Sequence, residues 1–145
     1  MAERSIYDII DDFTFLDDWE DRYRYVIELG RDMPPFPEDQ RTDANKVRGC
    51  ASQVWLHTDL DSSANGPILR FQGDSDAMIV KGLIAILVAQ FSGQRAEDIV
   101  QTDPSDTFST IGLTDHLTQQ RSNGLASMVQ RIKSEAQHAL AENTG

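Results

Sequence analysis

One cysteine occurs in the chain, Cys50, within Arg48-Gly49-Cys50-Ala51-Ser52-Gln53-Val54-Trp55. A single thiol can form no intramolecular disulfide and no multi-thiolate metal site. Two roles are left: a small buried filler, or a thiol that reacts with another molecule. Free cysteine is among the most buried residue types and is mostly inert, which favours the filler. The neighbouring residues favour the reagent. Gly49 permits positive φ, and so a tight turn just before the thiol. Arg48 sets positive charge beside a group that, at an ordinary pKa of about 8.5, is only slightly ionised near neutrality. The chemistry such a thiol performs is nucleophilic exchange at sulfur.

The other titratable candidates are weaker. His57 falls in a strand-like run, His138 on the polar part of the last helix, and His116 follows Asp115. A Cys–His pair is defined by geometry, so His116 qualifies as a base only if the fold brings it to Cys50. Asp74 or Ser75 can cap the apolar helical run that follows, and Asp74 and Asp76 read as helix caps rather than catalytic acids. Gly73-Asp74-Ser75-Asp76 lacks a second glycine, and Lys81-Gly82 lies inside that run, so no phosphate-binding loop is present.

These residues must be positioned by a domain of modest size. The 145 residues predict a single domain, 1–145, with frayed extreme termini. A domain of this length buries roughly 70% of its unfolded surface and needs no covalent staple. The net charge of −11 argues against nucleic acid and against an anionic membrane surface. No apolar run approaches the eighteen or so residues of a membrane span, and the acids after Ile6 break any signal-like segment. A reduced, cytoplasmic setting is expected for a lone thiol.

Ile6, Ile9, Ile10 and Phe13 keep helical spacing, as do Trp19, Tyr23, Val26 and Ile27 in a second helix from about Asp17, with Gly30 as its expected stop. Pro34, Pro35 and Pro37 predict an extended connection. Val54, Leu56 and Leu60 alternate with Gln53, His57 and Asp59, and a turn over 61–67 leads to a return strand at 68–72. A short strand near Val47 would add to this sheet. A nearly all-apolar helix over about 75–91 implies a central element. Two short helices, 95–101 and 104–110, and a last helix over about 120–141 follow, with Leu125, Met128, Val129, Ile132 and Ala136 on its apolar face. Segregated helices and strands define an α+β domain.

Four blocks resemble the SufE family, the sulfur acceptors of cysteine desulfurases. They are Trp19-Glu20-Asp21-Arg22-Tyr23 with Ile27-Glu28-Leu29-Gly30, Val47 through Trp55, Gly73 through Leu83, and Leu113 through Thr118 with Arg121-Ser122-Asn123-Gly124-Leu125. Ala51 stands where many members carry glutamine or threonine, and Gln119-Gln120 where a Pro-Ser pair is frequent. The resemblance implies a small antiparallel sheet with helices packed on one side, shared with U-type iron–sulfur scaffolds. It implies that Cys50 accepts sulfane sulfur from a pyridoxal-phosphate cysteine desulfurase, stimulates that enzyme and passes the sulfur to an iron–sulfur scaffold. The chain would then need no cofactor of its own. By the same resemblance Arg121 lies near the thiol loop and contacts a partner, and Asp74 influences the loop. Competing readings are a U-type scaffold holding a cluster between two chains and a non-catalytic activator of the desulfurase. A peroxidase would need a resolving cysteine. The sequence leaves a homodimer open.

Overall fold

The computed structural model describes residues 5–50, 52–63, 66–113 and 116–144. Helix α1 (Ile6–Thr14) starts where Ser5 accepts from the Asp8 amide at 3.1 Å, and α2 (Trp19–Arg31) where Asp18 accepts from Glu20 at 3.2 Å. Each cap satisfies an amide with no helical partner. Ile6, Ile9 and Phe13 are the buried stripe of α1, each contributing roughly 1.5–3 kcal/mol of burial. In α2 the buried positions are Val26, Leu29 and Gly30, while Trp19, Tyr23 and Ile27 flank them half-buried.

The sheet is antiparallel in the order β1-β2-β3. Strands β1 (Val54–Ser63) and β2 (Gly66–Ser75) pair from Val54↔Ser75 to Ser63↔Gly66, so the ladder runs further into the expected 61–67 turn than composition suggested. The centre of that turn, Ala64 and Asn65, lies outside the described residues, as do Ala51, Thr114 and Asp115. Val47 forms no strand. Lys46 bridges to Trp55, and the Val47 amide donates to Val54 O at 2.8 Å. Strand β3 (Gln94–Arg95) occupies the start of an expected helix. Gly93, at φ +83°, turns the chain so that its amide reaches Leu69 O at 2.7 Å, and α4 (Ala96–Gln101) begins only afterwards.

Helix α3 (Met78–Phe91) is the central element, packed on β2 on one side and on α2 on the other. Gly30 does not stop α2; it lies inside the helix and faces α3. A Cβ on Gly30 would come within 2.7 Å of the Gly82 amide nitrogen, and one on Gly82 within 2.1 Å of Val26 O. The two glycines therefore let the helix backbones touch. Short helix α5 (Ser105–Thr110) and long α6 (Gln119–Thr144) complete the helical layer. Met128, Ile132, Ala136 and Ala139 are the buried residues of α6, with Leu125 and Val129 half-buried beside them. The last helix extends through Thr144, beyond its expected end, with His138 paired to Glu142 at 3.1 Å over its final turns.

The helices cover one face of the sheet, where Val54, Leu56, Leu69 and Phe71 are buried. Leu60 opposes Leu69 on that face yet is 49% exposed. On the opposite face, the proline segment lays Phe36 and Arg41 across one end. The Arg41 guanidinium stands 5.4 Å from the Phe36 ring centroid and 5.3 Å from that of Trp55.

Candidate functional site

Cys50 lies in the six-residue loop 48–53, closed at its base by the Val47–Val54 hydrogen bond. Gly49 has φ +90°, a conformation that L side chains rarely adopt. A Cβ there would also fall 2.4 Å from Ser127 Oγ. The backbone conformation is what requires glycine at this position; the Ser127 side chain of α6 crowds it further.

The turn brings the thiol onto α6. The Cys50 Sγ–H donates to the Gly124 carbonyl at 3.5 Å, and Cys50 is half-buried. Burial pushes its pKa above the ordinary thiol value. The thiol opens on a cleft of about 230 Å³ between α3 and α6, with Ala77, Val80 and Leu83 on one wall and Arg121, Gly124 and Met128 on the other. The Arg121 amide donates to Thr118 Oγ1 at 3.2 Å, and no ion pair of its guanidinium is found among the described residues. Arg121 and Cys50 therefore share one cleft. Arg48 is exposed, and burial is what raises the Cys50 pKa.

The base of the loop is held from two sides. On one, the Arg131 guanidinium of α6 donates to Ala44 O at 2.7 Å and to Lys46 O at 3.3 Å. On the other, Arg41 pairs with Asp74 and with Glu38, the latter at 2.9 Å. At the exit, the Gln53 amide donates to Asp76 Oδ1 at 3.0 Å, and the Asp76 amide returns a bond to Gln53 O at 3.3 Å.

Asp74 is not the expected helix cap. It ends up within β2, is only 6% exposed, and binds Arg41 with Lys81 at 3.5 Å. Burial by itself would raise its pKa. The hydrogen bond from Arg41, the Ser75 amide and the charge of Lys81 outweigh that and hold the carboxyl below its ordinary value. Asp76 is no cap either, since its carboxylate serves the loop. The amide of Ala77, the residue before α3, is taken up by Ser75 Oγ at 3.2 Å.

His116 does not line the thiol's cleft. Its ring stacks on Trp19 at 3.9 Å and 15°. His57 pairs with Asp59, and no histidine lines the cleft. Sequence reasoning missed Gly124, Ser127 and Arg131 as residues of the loop's seat. A glycine inside an otherwise good helix was the one available signal for Gly124; nothing local marks Arg131, whose carbonyl partners lie more than eighty residues away in the chain.

Fold and site together define an α+β protein with one thiol, carried on a short loop and seated against its last helix. The SufE family model, described as an Fe-S metabolism associated domain, matches residues 7–136. The chain belongs to the SufE family and takes part in iron–sulfur metabolism. It is 60% identical over 136 residues to an uncharacterized SufE-like protein of Rhizobium meliloti (strain 1021), covering 94% of this chain and 97% of that one. A second uncharacterized SufE-like protein, from Rhizobium etli, is 58% identical over 132 residues, covering 91% of this chain and 89% of its own length. The solution structure of a hypothetical protein from Thermus thermophilus has the same fold, with a TM-score of 0.74 over 97% of this chain and 99% of that chain at 21% identity. Among the described residues no helix is long and apolar enough to cross a membrane.

Proposed function

We propose that Cys50 is a sulfur carrier that accepts one sulfur atom from a persulfide on a cysteine desulfurase and delivers it to an iron–sulfur scaffold. The observation that carries this reading is the seat of the chain's one thiol. It stands on a loop tip, against α6, at the opening of a cleft that also presents Arg121. Membership of an iron–sulfur metabolism family supports the destination of the sulfur.

The exchange is a single displacement. The Cys50 thiolate attacks the terminal sulfur of the donor persulfide; a new S–S bond forms at Cys50, the donor's S–S bond breaks, and the donor cysteine leaves as thiolate. Delivery to the acceptor repeats the step with Cys50 as leaving group. No cofactor on this chain takes part; the pyridoxal phosphate belongs to the desulfurase. Burial keeps the resting thiol protonated, so it is a poor nucleophile until a partner lifts it from Gly124. Docking thus both exposes and activates the thiol, and removal of the sulfur from the desulfurase stimulates turnover. Arg121 meets the partner at the cleft, Arg48 and Gly49 set the tip, and Asp74 steadies the loop base. A cytoplasmic setting keeps the carrier reduced.

The test is incubation with a desulfurase and cysteine, followed by mass spectrometry. The mass of one added sulfur atom is expected on the peptide bearing Cys50, and none on the Cys50→Ser protein. A Cys50→Ser protein that stimulates the desulfurase as well as wild type would replace the carrier with an activator. A visible chromophore after anaerobic reconstitution with iron and sulfide would favour a scaffold.

A further inference from the structure

Helix α1 carries apolar side chains on two sides. Ile6, Ile9 and Phe13 form its buried stripe and supply its packing on the core. Tyr7 and Phe15 lie on the other side, 80% and 78% exposed, more than any other large hydrophobic among the described residues. With Asp11 they keep the i, i+4, i+8 spacing of one helix face, and Phe15, the residue that closes α1, still has right-handed helical backbone. The two aromatic positions are therefore two turns apart, about 12 Å along the axis, with Asp11 between them. Among the described residues neither ring stacks on another ring or lies under a cation. At an exposed helix position an aromatic is a poorer helix former than alanine, lysine or glutamate. Neither the core nor the helix calls for these two rings.

The surrounding charge says what would cover them. From Ser5 to Asp21 the sequence carries seven acidic residues and no lysine, arginine or histidine. Some of these acids serve the fold: Asp18 caps α2, and Asp12 accepts from the Tyr25 hydroxyl. Asp8, Asp11 and Asp17 are exposed and have no ion pair among the described residues. A second copy of this chain, itself at −11, and an anionic membrane surface would both be repelled. A cationic segment would be held. A guanidinium can lie flat on a tyrosine or phenylalanine ring while it donates to a neighbouring carboxylate, and the stem of a lysine can cover a ring while its ammonium reaches the acid.

We infer that the outer face of α1, built on Tyr7, Asp11 and Phe15, is a docking surface for an arginine- or lysine-rich segment of another protein. It is separate from the thiol site, since no residue of α1 lines the cleft beside Cys50. The inference therefore does not depend on the carrier reading. A partner held on this face leaves Cys50 free to exchange.

The probe is a synthetic helical peptide of repeated Arg-Leu-Ala-Ala units, titrated into the isotope-labelled full chain and followed by NMR. Shifts centred on the amides of α1, weakened by added salt and absent with a Glu-Leu-Ala-Ala peptide, are expected. The decisive variant, Tyr7→Gln with Phe15→Gln, keeps every charge of the chain. It should bind the arginine peptide about tenfold more weakly than wild type, the loss expected of aromatic anchors, and should melt no lower. Equal binding would mean diffuse attraction to an acidic protein and overturns the inference, and a lower melting temperature overturns it by placing the rings in the fold's own packing. Cys50 should alkylate at the same rate with and without bound peptide; slower alkylation puts the peptide on the thiol cleft and overturns the separate site. Self-association by sedimentation, or binding to phosphatidylcholine vesicles, that disappears in the variant would assign the face to a second copy or to lipid instead.

Discussion

Replacing Asp74 by asparagine removes one charge from the best-buried ionic group among the described residues while keeping its shape. Asp74 is 6% exposed and is held by Arg41, Lys81 and the Ser75 amide. Removing one partner of a fully buried ion pair costs about 3–5 kcal/mol, because the other charge is left unpaired. Here Arg41 is not left unpaired. It keeps Glu38 at 2.9 Å, its place beside Phe36 and Trp55, and 29% of its side-chain surface in water. The expected loss is therefore smaller, about 2 kcal/mol at pH 7, or about 4–8 °C in Tm for a chain of this length. The pH dependence has a definite sign. The folded carboxyl titrates below its unfolded value of about 3.9. Its contribution is therefore fully present above that value and is lost as pH falls through the folded pKa. Urea unfolding of both proteins at pH 7 and pH 3, followed by tryptophan fluorescence, measures this directly, since Trp55 stacks on Arg41. The gap between wild type and Asp74→Asn should narrow in acid. A gap that is absent at pH 7, or that widens at pH 3, would refute the reasoning.

Gly82→Ala would drive a Cβ to 2.1 Å from Val26 O and should cost about 3 kcal/mol, at the upper end of overpacking, read by thermal unfolding. Gly49→Ala meets both a φ of +90° and Ser127 Oγ at 2.4 Å; backbone strain of about 1–3 kcal/mol is expected to be relieved by displacement of the tip, seen as faster alkylation of Cys50. The pH profile of Cys50 alkylation should have its midpoint above the ordinary thiol value while the protein is folded and return to it in denaturant. In linkage terms, the protonated thiol's stabilising contribution is present below the unfolded pKa and is lost as pH rises through the folded one. An Arg131→Met substitution frees the carbonyls of Ala44 and Lys46 and should cost about 1–3 kcal/mol, measured by urea unfolding.

What was legible in the sequence follows the range of each interaction. The helical stripe of α1, the β1–β2 hairpin and the apolar α3 are encoded by residues a few positions apart; all three are found, the helices close to their expected bounds and the hairpin with a longer ladder than expected. Gly30 and Asp74 depart from the local expectation for a common reason. Glycine near a helix end and aspartate before a helix are local stop and cap signals, but here each answers a distant partner. Gly30 answers the backbone of α3, and Asp74 answers Arg41 across the sheet face. Gln94 and Arg95 carry no strand signal of their own; the turn at Gly93 delivers them to β2. Cys50 was found because it is the sole cysteine, whereas its seat on Gly124 is a contact spanning 74 positions that no local pattern encodes.

The same geometry sets a limit on how Cys50 can work. The chain leading to the loop is fastened at residues 44 and 46 by Arg131 and at Arg41 by Asp74, while Val47 and Val54 close the base. Beyond that base only six residues can be drawn out. Fully extended, six residues span about 20 Å, so a loop that must go out and return can carry its tip no more than about 10 Å from its base. If Cys50 is the carrier proposed above, a sulfur donor must bring its own sulfur close to the cleft between α3 and α6, because the loop cannot reach far into the donor with the base intact. This favours a partner that delivers its persulfide on a projecting segment, and it makes the strength of the base as relevant to transfer as the chemistry of the thiol. Loosening the base at Arg131 lengthens the reach at the expense of orientation. Sulfur transfer to such a variant should then need less intimate docking but proceed with a lower rate in the bound state, since reactive geometry is lost when the nucleophile is less well held.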